Sequence, residues 1–560
     1  MKFFRLKRFL TISTLLFCVL TSQTFANVTH FTNANGYTLR TNTEDKYALI
    51  RFSEMLIKND KVVSIGNGLN APEGAKVIDV KQRTLLPGII DAHGHLLGLG
   101  ENLTQANLRE ASSEMDAVKL VKDFIGSVSI GDGWIIGRGW NQENWHNKQF
   151  PSKDSLDKAF PNQAVWLTRV DGHAAWANSK ALKIAGITEL TVSPEGGDII
   201  HGKDGKPTGI LIDNAMALVE HFIPKLDNKQ LHLQLNTAFD HLLSLGITSM
   251  HDAGVSEQVR DFYVEQSTDT ALRVRIYAML AATDPALDKM LSEGYISDKQ
   301  DFLSIRSVKA YGDGALGSRG AALLAPYKDA PENSGLLVTK QAQLPGLFEQ
   351  VISQDFQLNF HAIGDRANRL ALIHFGEAFK QYPNNPMRHR IEHAQVIALD
   401  DIPKFKSLNV IPSMQPTHAT SDKNMAEDRL GKQRLKGAYA WRTLLDQGSR
   451  IAFGSDFPVE KANPFHGLHA AVTRQDANND PKGGWIPEES VSITEAFASF
   501  TIDAAYAAFQ EDILGTLDTN KKADFIIVDR DIFSVPAAEI RETRVLQTWV
   551  NGKLAYSFEE

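Results

Sequence analysis

The sequence predicts an α/β fold: a (β/α)8 TIM barrel with a large insertion after strand 1, plus a small discontinuous β-sandwich from both chain ends. Three observations carry this. The middle of the chain alternates short apolar runs with helical stretches, the pattern of parallel β/α units. Eight such runs can be counted, the number a closed barrel needs. Strand-like text broken by Gly, Asn and Pro turn signals occupies residues 37–80 and returns only near the C-terminus.

In chain order, residues 1–26 read as a signal peptide. Lys2, Arg5, Lys7 and Arg8 form a basic start, an apolar stretch runs from Phe9 to Leu20, and Thr24-Phe25-Ala26 places small residues at the −3 and −1 positions of a cleavage site. The apolar run is short for a membrane span, so the mature protein is expected to be exported, into a periplasm, without stable membrane association. Residues 27–84 supply the N-terminal part of the sandwich, with strands such as Tyr47-Ala-Leu-Ile-Arg-Phe52 and Lys61-Val-Val-Ser-Ile65. Residues 85–500 form the barrel domain, with strands expected at Leu85–His93, Ile247–Asp252, Arg273–Leu280, Leu303–Tyr311, Phe356–Ile363, Arg388–His393, Val410–Met414 and Arg450–Ser455. The stretch of about 98–243 is too long for one βα connection and is read as an insertion; it carries Trp134, Trp140, Trp145, Trp166 and Trp176, five of the eight tryptophans. Most of these should pack the insertion's own core, with one or two over the barrel mouth. Residues 501–560 return to the sandwich through Ala523-Asp-Phe-Ile-Ile-Val-Asp529 and Val545-Leu-Gln-Thr-Trp-Val-Asn-Gly-Lys553.

Composition narrows the function. Removing residues 1–26 takes away four positive charges and no negative one, so the formal charge moves from −8 to −12. A chain this acidic is a poor partner for nucleic acid or an anionic membrane. Its one cysteine, Cys18, lies in the apolar leader. The mature chain therefore forms no disulfide, and any metal must be held by nitrogen and oxygen.

The chemistry-bearing residues stand at the ends of expected strands. His93-Gly94-His95 closes the first, and alternate residues of a strand face one side, so both imidazoles can reach one metal with Gly94 leaving room between them. The C-terminal strand ends are where barrel active sites lie. Lys309 ends the fourth, His361 the fifth, His393 the sixth and Asp456 the eighth. Each has a bland reading alone, as a salt-bridge partner or a hydrogen-bonded core residue. Together, in the order His-x-His, Lys, His, His, Asp, they read as one site.

On these residues the chain resembles the amidohydrolase superfamily and, within it, amidohydrolase family 3, the large Ytc-like branch that includes N-substituted formamide deformylases. The markers are Leu86-Pro-Gly-Ile-Ile-Asp-Ala-His-Gly-His95, Val308-Lys-Ala-Tyr-Gly-Asp-Gly-Ala-Leu-Gly-Ser-Arg319, His361-Ala-Ile-Gly-Asp365, Arg390-Ile-Glu-His-Ala394 and Phe453-Gly-Ser-Asp-Phe-Pro458, and the likeness runs from about residue 40 to the C-terminus. The resemblance implies a zinc-type site with His93, His95, His361, His393 and Asp456 as ligands, and Lys309 bridging two metals if it is carbamylated. Imidazole and carboxylate without thiolate suit zinc, with iron, manganese or nickel as substitutes. Zinc lowers the pKa of water toward about 7. Asp456 would take the proton from that water and return it to the leaving amine. An ammonium cannot ligate a cation, so Lys309 must first lose its proton and react with CO2; left unmodified, it implies a single metal.

Asp171-Gly-His-Ala-Ala-Trp-Ala-Asn178 resembles a pocket-facing segment of the same branch, which makes His173 a substrate-contact candidate. Asp313 and Arg319, just after the fourth strand, and Trp140 in the insertion are further candidates, although a loop Asp and Arg can simply pair with each other. His146, His201, His251, His389, His418 and His466 receive no assignment. The expected reaction is hydrolysis of a C–N bond in an amide, N-formyl, N-acyl, carbamate or cyclic amide. Ester or lactone hydrolysis uses the same site. A non-catalytic binding protein on a decayed barrel is disfavoured by the intact Asp456, and a nucleic-acid deaminase by the charge and the leader. A small-molecule substrate is expected as partner, with a homodimer compatible.

Overall fold

The computed structural model describes residues 28–41, 47–127, 133–224 and 228–558. The expected signal peptide falls outside the described residues. The expected barrel is present as eight parallel strands in chain order: β1 (Ile89–Gly94), β2 (Ile247–Val255), β3 (Arg275–Ala281), β4 (Leu303–Tyr311), β5 (Gln357–Ala362), β6 (Arg390–His393), β7 (Ile411–Met414) and β8 (Ala452–Phe453), each hydrogen-bonded to the next. Helices cover the outside and side chains fill the inside, so strands such as β3 are buried at every position. Asn228–Ser244 is one of the covering helices and buries Leu231, Leu235, Ala238, Phe239 and Leu242 along one stripe.

Ring closure falls to the ends of β8 and β1. Gly94 and Phe457 form a parallel bridge, Asp456 N donates to His93 O at 2.7 Å, and His95 N donates to Phe457 O at 2.8 Å. Beneath them the buried Asp91 carboxylate accepts from Ser455 Oγ at 2.7 Å, Ser455 N at 3.1 Å and His93 N at 3.1 Å. Closure thus sets Asp456 beside the His-x-His pair.

The expected first strand, Leu85–His93, is two strands. Thr84–Pro87 pairs antiparallel with Phe525–Val528, in a six-stranded sheet that joins both ends of the chain, and only Ile89–Gly94 enters the barrel. The break has a steric cause: Pro87 has no backbone N–H, and a Cβ at Gly88 would lie 2.2 Å from Thr248 Oγ1. A second, four-stranded sheet of N-terminal residues lies next to that sheet, with Phe31, Met55, Ile57, Phe525 and Trp549 in a shared core. Phe525 and Trp549 stack there at 5.4 Å.

Between β1 and β2 the chain builds a separate six-stranded sheet from residues 106–213. Val165 and Leu167 face one core, which also holds Trp140, Trp145 and Trp176, while Trp166 faces the other, beside Trp134. All five tryptophans therefore pack the insertion itself. Among the described residues no helix is long and apolar enough to cross a membrane.

Candidate metal centre

The six residues expected as ligands converge at the C-terminal mouth of the barrel. His93 lies in β1. His95, one residue past the strand but still extended at φ −128°, keeps the alternation and begins the next helix. Lys309 and His361 point in from β4 and β5. His393 ends β6 with φ 74°, and Asp456 follows β8 with φ 60°. Left-handed backbone at non-glycine residues is costly and survives where the surroundings hold it. Here it turns an imidazole and a carboxylate into the mouth.

His93, His393 and Asp456 each offer a ligand atom within 4.8 Å of the others. His95 Nε2 lies 3.2 Å from Asp456 Oδ1 and His93 Nε2 lies 3.6 Å from it. The rings of His361 and His393 are 4.5 Å apart, and Lys309 Nζ is 3.2 Å from His93 Nε2. All except His95 are buried.

Neighbours orient these groups. Glu392 Oε2 accepts from His93 Nδ1 at 2.6 Å and Gln415 Oε1 accepts from His393 Nδ1 at 2.9 Å, which leaves each Nε2 lone pair for the site. Burial holds the imidazoles of His361 and His393 well below their ordinary pKa and lowers that of His93. Burial pushes the Asp456 carboxyl up, but the hydrogen bond from His95 and the fields of His93 and His393 outweigh it and hold the group well below the carboxylate range. Burial brings the Lys309 ammonium down to about 8, against the pull of Glu392 and Asp456, so its free amine is accessible near neutrality.

A divalent cation fits this donor set. Both ring nitrogens of His361 are buried without a hydrogen-bond partner, Nε2 lying 3.5 Å from Asp313 Oδ1, and buried polar atoms are rarely left so without a ligand. Neutral imidazoles and an ionised carboxylate are the forms that bind metal.

Two compartments, of about 390 and 520 Å³, meet at this point and share Asp171, His173, His361, His393 and Asp456. His173 is thus in the cavity, its Nδ1 2.6 Å from Asp213 Oδ1. Burial disfavours its charge, but Asp213 and Asp171 outweigh burial and raise it to about 9. The other three substrate-contact candidates line neither compartment. Trp140 is fully buried in the insertion core and donates Nε1 to Leu167 O at 2.7 Å. Asp313 is buried behind His361, accepting from the backbone N–H of Ala322, Ile363 and Gly364. Arg319 pairs with Asp329 at 3.0 Å, not with Asp313.

Two residues at the site went unassigned in the sequence. Glu392 stands beside His393 and braces His93 instead. His418 follows β7 on the helix Pro416–Asp422. Gln395 Nε2 donates to its Nδ1 at 3.0 Å, so its Nε2 carries the proton, 3.5 Å from Asp456 Oδ2.

Comparison with known proteins agrees with this geometry. The Amidohydrolase family matches residues 76–556. The Arabidopsis thaliana protein LONG AFTER FAR-RED 3 is 34% identical over 519 residues, covering 90% of this chain and 88% of that protein. The N-substituted formamide deformylase of Arthrobacter pascens is 25% identical over 529 residues, covering 90% and 94%. Among solved structures, an uncharacterized metal-dependent hydrolase from Pyrococcus horikoshii superposes with a TM-score of 0.73 at 27% identity, covering 91% of this chain and 99% of that one.

Proposed function

The chain belongs to the Amidohydrolase family, and from that premise we propose that this metal-dependent hydrolase cleaves a C–N bond other than a peptide bond, in an N-formyl, N-acyl or cyclic amide. The observation that carries the reading is the ionised Asp456 carboxylate, set among His93, His95 and His393 where two compartments meet. His93, His95, His361, His393 and Asp456 would hold zinc or a similar divalent cation, and Lys309 would bridge a second one after its amine bonds to CO2 and sheds a proton. A cation held there supplies charge that acidifies water and polarises a carbonyl.

The chain's own groups do the rest. Asp456 accepts a proton from the attacking water and passes it to the amine nitrogen as the C–N bond breaks, so the water oxygen ends on the acyl carbon. The His173 imidazolium and the His418 Nε2–H donate toward oxygen atoms of the bound substrate. The insertion sheet walls the cavity and limits access of bulk water. The relative named for deformylation of N-substituted formamides makes N-formyl amines the first compounds to try.

In the same reading residues 1–26 direct export to a periplasm and are removed, 85–500 form the catalytic domain, and 27–84 with 501–560 form the sandwich. The test is a panel of N-formyl and N-acyl amines, with matched esters and lactones, on purified metal-loaded protein. Amide turnover that falls by about 10²-fold or more in Asp456→Asn supports the reading. Turnover confined to esters, or unaffected by Asp456→Asn, refutes it.

A further inference from the structure

We propose that Arg138, in the insertion sheet, binds a carboxylate on the substrate, so that the site takes N-acyl amino acids with an aliphatic side chain in preference to neutral amides; this rests on the hydrolase reading above.

The placement of Arg138 follows from a break in the sheet. The strand Ile135–Trp140 runs parallel to Val165–Arg169, and its register shifts between Arg138 and Trp140. Gly139 makes the bulge with φ 113°, and a Cβ there would lie 2.9 Å from Arg109 N. Before the bulge, Ile135 and Ile136 face opposite cores; after it, Trp140 returns to the core of Ile135 although alternation would send it to the other. Arg138 sits where alternation gives way and lines the inner compartment with Lys309, His361, His393 and Asp456.

Arg138 is short of partners there. It makes one hydrogen bond, from a terminal nitrogen to Val170 O at 3.2 Å, and its Nε is buried without a partner. Among the described residues no carboxylate comes within the 4.0 Å of an ion pair. The acids around it are engaged elsewhere: Glu101, whose field reaches Arg138, with Gln105, Asp171 with Arg169, Asp213 with His173, Asp252 with Tyr263 and the Leu96 N–H, and Asp456 with the imidazoles. Glu220, also on the compartment wall, is exposed. A guanidinium stays charged, and a half-buried charge with no ion-pair partner is costly. A planar monoanion that takes two of its N–H groups supplies the missing partner.

The same wall also carries an apolar stretch. Leu96, Leu97, Met216, Val255 and Val259 line it. A ligand half with one carboxylate and one aliphatic group matches both features, and in an N-acyl amino acid that half begins at the amide nitrogen.

The experiment compares N-acetyl-leucine with N-isopentylacetamide, the same molecule without its carboxylate, by calorimetry on the purified full chain. The expected result is tighter binding of N-acetyl-leucine by about tenfold or more, with that preference lost in Arg138→Gln. Equal binding of the two compounds by the wild-type protein overturns the proposal, and so does a preference that survives Arg138→Gln. Should Arg138→Gln fail to fold, Arg138→Lys keeps a charge but not the planar fork, and a preference undiminished in that variant overturns the proposal equally. Hydrolysis of the pair separates the two readings. If neither is cleaved while the Arg138-dependent preference holds, the hydrolase reading fails and the anion site stands; if both are cleaved with equal kcat/KM and bound equally, the anion site fails alone.

Discussion

Nδ1 of His93 lies 2.6 Å from Oε2 of Glu392, a contact between two fully buried side chains from β1 and β6. Burial raises the Glu392 carboxyl, but His93 and Arg390 outweigh it and leave the group below its usual range, an anion that fixes the His93 tautomer. Glu392→Gln is therefore expected to weaken metal affinity by about 10–100-fold with the fold retained. Chelator competition with circular dichroism checks this, and an affinity equal to wild type would remove Glu392 from the account.

Lys309 is buried, its amine is accessible near neutrality, and its Nζ faces His93 Nε2. Intact mass measured under native, CO2-equilibrated conditions should show one CO2 adduct, absent from Lys309→Ala. The variant should bind fewer metal ions per chain, and added short-chain carboxylates should restore part of the loss. Unchanged stoichiometry in Lys309→Ala argues for a single metal.

Asp91 holds the seam where the barrel closes through three hydrogen bonds to Ser455 and His93. Asp91→Ala removes them and leaves buried donors unpaired, at a cost of roughly 2–4 kcal/mol. Urea denaturation should show a lower midpoint with an unchanged slope. A shift under ~0.5 kcal/mol would mean the seam is held by backbone contacts alone.

His389 packs against the rings of Phe375 and Phe379, 5.4 Å from each, and accepts the Leu358 N–H on Nδ1 at 2.9 Å; burial brings its pKa down to about 3. In the unfolded chain the value returns to about 6.5. Between these pH values the unfolded state binds a proton that the folded state excludes, so the contribution of His389 to stability is complete above pH ~6.5 and is lost as pH falls toward ~3. Its share of the slope is about 1.4 kcal/mol per pH unit. His389→Gln keeps an acceptor without titrating, and denaturation across pH 4–6 should show the slope reduced by about that amount. An unchanged slope contradicts the assignment.

Much of the barrel and of the side-chain cluster at its mouth was legible because these residues lie at or near the ends of apolar runs, and strand ends are local features. β4 shows this, with Lys309 inside a strand that keeps its expected limits, Leu303–Tyr311. What was not legible depends on contacts between distant segments. No periodicity marks Gly88 as the point where the chain leaves one sheet for another; Thr248 does, and it is far away in sequence. Glu392 is inconspicuous beside His393 until β1 brings His93 to it. His418 escaped a rule that looks at strand ends because it rides on the helix after β7. Arg319 and Trp140 were drawn toward the site by residue type, and Asp329 and the insertion core claim them instead.

The most direct test is anomalous diffraction from crystals of the metal-loaded protein. The account predicts a peak at the barrel mouth, about 2.0–2.2 Å from nitrogen atoms of His93, His95, His361 or His393 or from an Asp456 oxygen. A loaded crystal with no peak there, or with its metal bound only elsewhere on the chain, would contradict it.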